Sequence, residues 1–283
     1  MPPLRLLLFV ALAMVAFAAN SLFCRLALRQ TGIDAASFTT LRLVSGALVL
    51  WLLVRLRGGA NSGKHGSWAS ALALFAYAAA FSFAYRTLPA GAGALLLFGA
   101  VQATMIGYGL WRGERLGARQ SAGMALAAAG LVGLLLPGLS APPLQGAVLM
   151  LASGVAWGVY SLRGRGVANP AASTAGNFLR AVPFALALSL VQLSSASVDT
   201  AGSAYAVASG ALASGLGYAL WYGALPMLRA TTAATVQLSV PVLAALGAAA
   251  FLGEAITLRL VLASLAVLGG IALVIRSPRR ASR

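Results

Sequence analysis

Two arginines stand in stretches that otherwise read as membrane-spanning helix. Arg42 lies in "TTLRLVSGALVLWLL", residues 39–53, and Arg180 in "GNFLRAVPFALALSL", residues 176–190, each with no acidic residue nearby. A guanidinium at the centre of such a helix costs roughly 2.5 to 3.5 kcal/mol on insertion scales, so each needs protein or water around it. Helical spacing agrees: Thr39, Arg42 and Ser45 recur at i, i+3, as do Thr174, Asn177 and Arg180, so both helices are expected to turn a polar face inward. Three uses stay open. The arginine can satisfy backbone carbonyls of a neighbouring helix, it can bias a cavity toward carboxylate-bearing substrates, or it can snorkel to an interface.

A second pattern is aromatic. Tyr77, Phe81 and Tyr85 recur every four residues, and adding 137 to the last two gives Tyr218 and Tyr222. Trp157, Tyr160, Asn20, Phe98, Gln102 and Gln237 would complete a wall that is apolar with a few amide groups. Such a wall suits uncharged or zwitterionic solutes with large apolar side chains, although each of these residues also fits plain packing. Catalysis by acid, base or nucleophile needs clustered ionisable side chains, and the inventory offers one histidine, His65, and four scattered acids. No enzyme activity, metal site or cofactor is expected. The single cysteine, Cys24, excludes an intrachain disulfide. The glycine groups are no phosphate loops; 32 glycines among many alanines suit close helix packing in lipid.

The elements that must position these residues are membrane helices. Of 283 residues 60% are hydrophobic and 8% charged, with a mean hydropathy of +0.91, outside the range of average soluble domains. Apolar runs long enough to cross roughly 30 Å of hydrocarbon occur near 4–28, 35–57, 67–87, 92–111, 118–137, 144–163, 172–193, 202–224, 232–253 and 257–276. Ten spans leave little chain for a soluble domain. "MPPLRLLLFVALAMVAFAAN" could pass for a cleaved signal peptide, but its apolar stretch runs on to Leu28, and its loss would destroy the duplication below.

A net charge of +16 would ordinarily suggest nucleic acid, yet topology accounts for it. With the N-terminus inside, the arginines and lysine at 5, 55, 57, 64, 112, 115, 119, 163, 165, 229, 276, 279, 280 and 283 fall inside. Arg25, Arg29, Arg86 and Arg259 fall outside, together with Asp34, Asp199 and Glu254. The positive-inside rule therefore predicts both termini in the cytoplasm, and no nucleic-acid partner.

The chain also repeats itself. "CRLALR" with Arg25 matches "LRGRG" with Arg163, and "TLRLV" matches "FLRAV", both at an offset of 138. "YRTLP" matches "YGALP" at 137, and "RGERLGAR" matches "LGEAITLR" at 140. The break falls at the Pro/Gly/Ser linker "PGLSAPP", 137–143. Two five-span units are expected, 1–137 and 144–283, the second ending in a short basic tail. An odd span count inverts the second unit, and in secondary transporters inverted repeats enclose a substrate site near the midplane.

These features resemble the drug/metabolite transporter superfamily, EamA-like branch. The resemblance rests on ten spans in two halves, an arginine early in the second span of each half, and Gly113-Glu114 and Gly253-Glu254 after the fourth span of each. "FAANSLFCRLAL" and "LPAGAGALLLFGAVQ" look similar to amino-acid exporters of the YddG type. One departure is Pro241 in the ninth span, where the fourth has Val101, so the halves need not bend alike. The resemblance implies an all-α protein of a bacterial inner membrane that exports small amphipathic metabolites, amino acids including aromatic ones, by alternating access. A multidrug exporter of the same superfamily and a non-transporting scaffold or lipid scramblase are the alternatives. No Asp, Glu or His lies deep in any span, which points to a facilitator or exchanger rather than a proton-coupled pump.

Overall fold

The computed structural model describes residues 3–56, 65–113, 115–138, 141–228 and 230–276. Glu114 and most of the basic tail lie outside them, as do Arg57, Lys64 and Arg229. The described residues are helical with no strand. The chain runs α1 Pro3–Gln30, α2 Ala35–Leu56, α3 Trp68–Tyr85, α4 Ala90–Trp111, α5 Ala118–Leu135, α6 Leu144–Arg163 and α7 Pro170–Val191. It continues as α8 Thr200–Ala208, α9 Gly217–Ala224, α10 Ala230–Gln237, α11 Ser239–Leu252 and α12 Leu258–Arg276.

Nine helical stretches among the described residues are long and apolar enough to cross a membrane. Large apolar side chains cover their outside, and a group of polar ones is sequestered within. Leu48, Leu52, Leu72, Leu186 and Leu265 are exposed, whereas Thr39, Arg42, Ser82, Ser153 and Asn177 are buried. An apolar exterior with polar side chains kept inside is the arrangement a bilayer selects, and the protein is a multi-pass membrane protein.

Two expected spans are not single helices. The run over 202–224 begins as α8, passes through a π-helical stretch, Ser209–Leu216, and ends as α9, so no unbroken α-helix of spanning length forms there. Close approach to α2 accounts for the small residues: a Cβ on Gly215 would come within 2.8 Å of Val49 Cγ1. The run over 232–253 divides at Leu238 into α10 and α11. Pro241 has no N–H for the Gln237 carbonyl and its ring crowds that position. Ser239 Oγ instead binds Val236 O at 2.7 Å, and Leu238 N binds Thr235 O at 3.1 Å. Its counterpart α4 is continuous, so the departure noted at Pro241 has a structural consequence.

Side-chain caps set the turns. Asp34 accepts from the N–H groups of Ala36 and Ser37 at the start of α2 and from Ser197 N at 2.9 Å. Burial raises the pKa of its carboxyl, but these hydrogen bonds outweigh it and hold the group below the usual carboxylate range. Asn169 and Asp199 cap α7 and α8 in the same way. In the bundle, α5 lies along α12, α3 along α6, α2 along α7, α4 along α6 and α11, and α1 along the α8–α9 run and α11. Exchanging the first five runs for the second five, in order, maps this set onto itself: α3–α6 exchanges with α1 against the α8–α9 run and α4–α6 with α1–α11, while α5–α12, α2–α7 and α4–α11 map onto themselves.

Candidate functional site

A cavity of about 1370 Å³ enters the bundle from the end that carries the start of α1 and the end of α12. At its mouth Arg163, Arg165 and Val167 leave α6, and Leu116 and Gln120 lead into α5. Its deep wall is formed by Phe17, Asn20, Phe81, Leu97 and Phe98. Beyond that wall the opposite end is closed by a polar knot. Arg25 Nε binds Glu254 Oε1 at 2.8 Å, the one ion pair among the described residues. Arg25 Nη1 donates to the carbonyls of Tyr85 and Arg86, and Glu254 Oε2 accepts from Ala90 N at 2.7 Å. Four segments meet there: α1, the α3–α4 turn, the start of α4 and the loop after α11. Glu254 thus serves as an arginine's partner.

Aromatic rings occupy the middle of the cavity. Trp157 lies 4.7 Å from Tyr77, 5.2 Å from Tyr160 and 5.6 Å from Tyr218, the last nearly parallel at 14°. Phe17 meets Tyr218 at 5.6 Å. These rings come from α1, α3, α6 and α9, so both parts of the chain build one aromatic surface. Amides lie between them. Asn20 donates to Tyr77 Oη at 3.3 Å and accepts from Ser209 Oγ at 2.6 Å. Asn177 donates to Tyr160 Oη at 3.3 Å while its Oδ1 accepts from Ser67 N at 2.8 Å, which fastens the start of α3 to α7. Gln102 and Gln237 also line the space.

Of the residues expected at a site, Asn20, Tyr77, Phe81, Phe98, Gln102 and Trp157 border the cavity, as do Tyr160, Asn177, Tyr218 and Gln237. The two arginines do not. Arg180 is half-buried and donates from Nη1 to His65 O at 2.6 Å and Gly176 O at 3.0 Å, a backbone clamp on the loop before α3. Gly66 makes that contact possible, since at φ +89 a Cβ would meet Asn177 N at 2.9 Å. Arg42 is buried to 2% exposure, stacked under Tyr77 and Phe81 with its Cζ 5.1 and 4.9 Å from their ring centres. Its Nη2 donates to Tyr77 Oη at 2.9 Å. The equal spacing of the two arginines in sequence therefore conceals different surroundings. Tyr85 is fully buried behind the cavity, donating to Ala90 O, whereas Tyr222 reaches it.

Phe17, Ser209 and Ser214 are among the contributors that arginine and aromatic spacing does not mark. Phe17 borders the cavity from α1, and Ser209, which does not border it, holds Asn20 in place. Ser214, in the π-helical stretch, borders the cavity with a buried hydroxyl that no described residue binds. Nothing in a Gly/Ala/Ser-rich run marks a π-helix.

Residues 144–276 match the sequence profile of the EamA-like transporter family. An uncharacterized protein of Pseudomonas aeruginosa is 60% identical over 285 residues, spanning 100% of this chain and 99% of that protein. A crystal structure of a protein 22% identical superposes over 93% of this chain and 97% of its own with a TM-score of 0.64; at that identity it speaks for the fold alone.

Proposed function

The chain belongs to the EamA-like transporter family of the drug/metabolite transporter superfamily, and on that premise we propose that this membrane transporter exports small amphipathic metabolites, amino acids including aromatic ones. The observation that carries the reading is the cavity itself. It is deep, lined by stacked aromatics and amides, open at one end and closed at the other by the Arg25–Glu254 knot. A space reaching mid-bundle from one side is what one state of an alternating-access carrier requires. In the topology predicted from charge, the open end is cytoplasmic and the knot is the outer closure. The symmetric helix pairings support two inverted five-span units, 1–137 and 144–283.

The lining explains the preference for amphipathic solutes. Flat aromatic faces bind large apolar side chains, and amides orient a polar end without demanding a net charge. A multidrug exporter of cations fits less well, because no acidic residue among the described ones borders the cavity. A scaffold or scramblase has no use for a cavity closed at one end. Solute counterflow in proteoliposomes with labelled amino acids tests the proposal: exchange of tryptophan, phenylalanine or leucine above protein-free vesicles is expected. Lipid scrambling without exchange of any amino acid would overturn it.

A further inference from the structure

Arg42 carries a positive charge into the core of the bundle, and no carboxylate among the described residues pairs with it. Glu254 holds Arg25, and Asp34 and Asp199 cap helices. With Nη2 engaged by Tyr77, the buried Nε and Nη1 have no hydrogen-bond partner among the described residues. A desolvated guanidinium without a counter-charge is costly, and plain packing does not require one. Yet Arg42 does not form the cavity wall. The rings of Tyr77 and Phe81 lie over it, and both border the cavity.

Tyr77 is thus the group through which this charge meets the cavity. Its hydroxyl oxygen accepts two hydrogen bonds, from Arg42 Nη2 at 2.9 Å and from Asn20 Nδ2 at 3.3 Å. Those two donors occupy the oxygen's lone pairs, leaving its own O–H proton to donate elsewhere. A guanidinium bonded to that oxygen polarises the phenol and strengthens it as a donor. The residue is held at its backbone and at its hydroxyl, since Ser153 Oγ donates to the Tyr77 main-chain carbonyl at 3.0 Å and Ser209 Oγ holds Asn20.

We propose that the Tyr77 hydroxyl, backed by Arg42, receives the carboxylate of the transported solute, so that carboxylate-bearing molecules are carried and amines lacking a carboxylate are not. The inference rests on the transport reading above. The solute supplies the counter-charge that the protein withholds, while an unaccompanied ammonium meets like charge in a low-dielectric space. Arg42 is a positioning residue that acts through Tyr77, and Trp157, packed on the Tyr77 ring, takes the apolar end.

Counterflow of tryptophan, 3-indolepropionate and tryptamine separates the carboxylate from the amine on one indole scaffold. The wild type is expected to carry the first two and to carry tryptamine at least about ten-fold more slowly, the scale of a hydrogen bond to a charged group. Tyr77→Phe keeps the ring over Arg42 and loses only the hydroxyl. It should slow both carboxylates about ten-fold without slowing tryptamine, compared at equal membrane abundance because Arg42 Nη2 and Asn20 Nδ2 lose their acceptor and the melting temperature falls. Arg42→Gln should narrow the preference for 3-indolepropionate over tryptamine; because either variant can unsettle the core, the ratio of carboxylate to amine transport within Tyr77→Phe decides, a quantity that a general loss of folded protein does not move. Equal carriage of tryptamine and tryptophan by the wild type, or equal loss of all three in Tyr77→Phe, overturns the carboxylate assignment and leaves transport standing. Failure of all three solutes and of the whole amino-acid panel overturns the transport reading, and this inference falls with it.

Discussion

At the scale of single residues, Trp157 is the centre of the aromatic surface, touching Tyr77, Tyr160 and Tyr218. Trp157→Ala removes contact area that a bulky substrate would otherwise cover, and the loss scales with the side chain bound. Counterflow of tryptophan should fall several-fold more than that of alanine at normal membrane abundance; equal loss across the panel would mean that Trp157 shapes the transport cycle rather than the pocket. Arg180 behaves differently from its sequence partner. It fastens the His65 loop to α7 through backbone carbonyls, so Arg180→Gln should lower the melting temperature in detergent and leave the ranking of substrates unchanged. A changed ranking at unchanged stability would place Arg180 in the substrate path.

Among the elements, close contact between helices rests on particular glycines and not on all of them. A Cβ on Gly154 in α6 would come within 2.6 Å of Ala100 Cβ and Leu97 O in α4, whereas one on Gly133 in α5 meets nothing within 4 Å. Gly154→Val should therefore cost about 1–3 kcal/mol by overpacking. Gly133→Ala should be neutral or stabilising by about 0.5–1 kcal/mol, because alanine loses less backbone entropy in a helix. Thermal unfolding of the two purified variants in one detergent makes the comparison, and similar shifts for both would contradict the packing described for α4 and α6. The breaks in the second part of the chain, the π-helical stretch and the division before Pro241, have no counterpart in the continuous α3 and α4.

For the whole molecule, orientation and access state are the testable quantities. Cys24, the single native cysteine, is fully buried, so introduced cysteines can be read against a quiet background. Ser140→Cys in the linker should react with an impermeant thiol reagent from outside intact cells, and Ser277→Cys only after permeabilisation. The reverse pattern would sink the N-inside topology. The closure at Arg25 and Glu254 provides a second test. Glu254→Gln removes the charge that holds Arg25 and weakens the acceptor for Ala90 N, so the outer end should open more often. Ser21→Cys, on the cavity wall behind that closure, should then be labelled from outside several-fold faster than in the wild-type background. No change in rate would show that the knot is not the closure.

Much of this architecture was legible in the sequence because a bilayer imposes simple one-dimensional demands. Hydrocarbon thickness sets the run length, so span positions followed from hydropathy, and the resemblance to the EamA-like family rested on ten spans in two halves with their arginines and Gly-Glu pairs. Heptad-free aromatic spacing on α3 already placed Tyr77 and Phe81 on one helix face. What periodicity could not settle was where each polar side chain ends, because that depends on which helix lies opposite. Arg42 and Arg180 share a local pattern, yet α3 places two rings over the first, while the loop at His65 offers the second a carbonyl. The π-helical stretch likewise has no mark in its Gly/Ala/Ser-rich sequence, whereas the break at Leu238 follows from Pro241, which the sequence already displays. The cavity and its closed end exist only once segments distant in sequence are packed together, with Arg25 and Glu254 meeting across 229 positions.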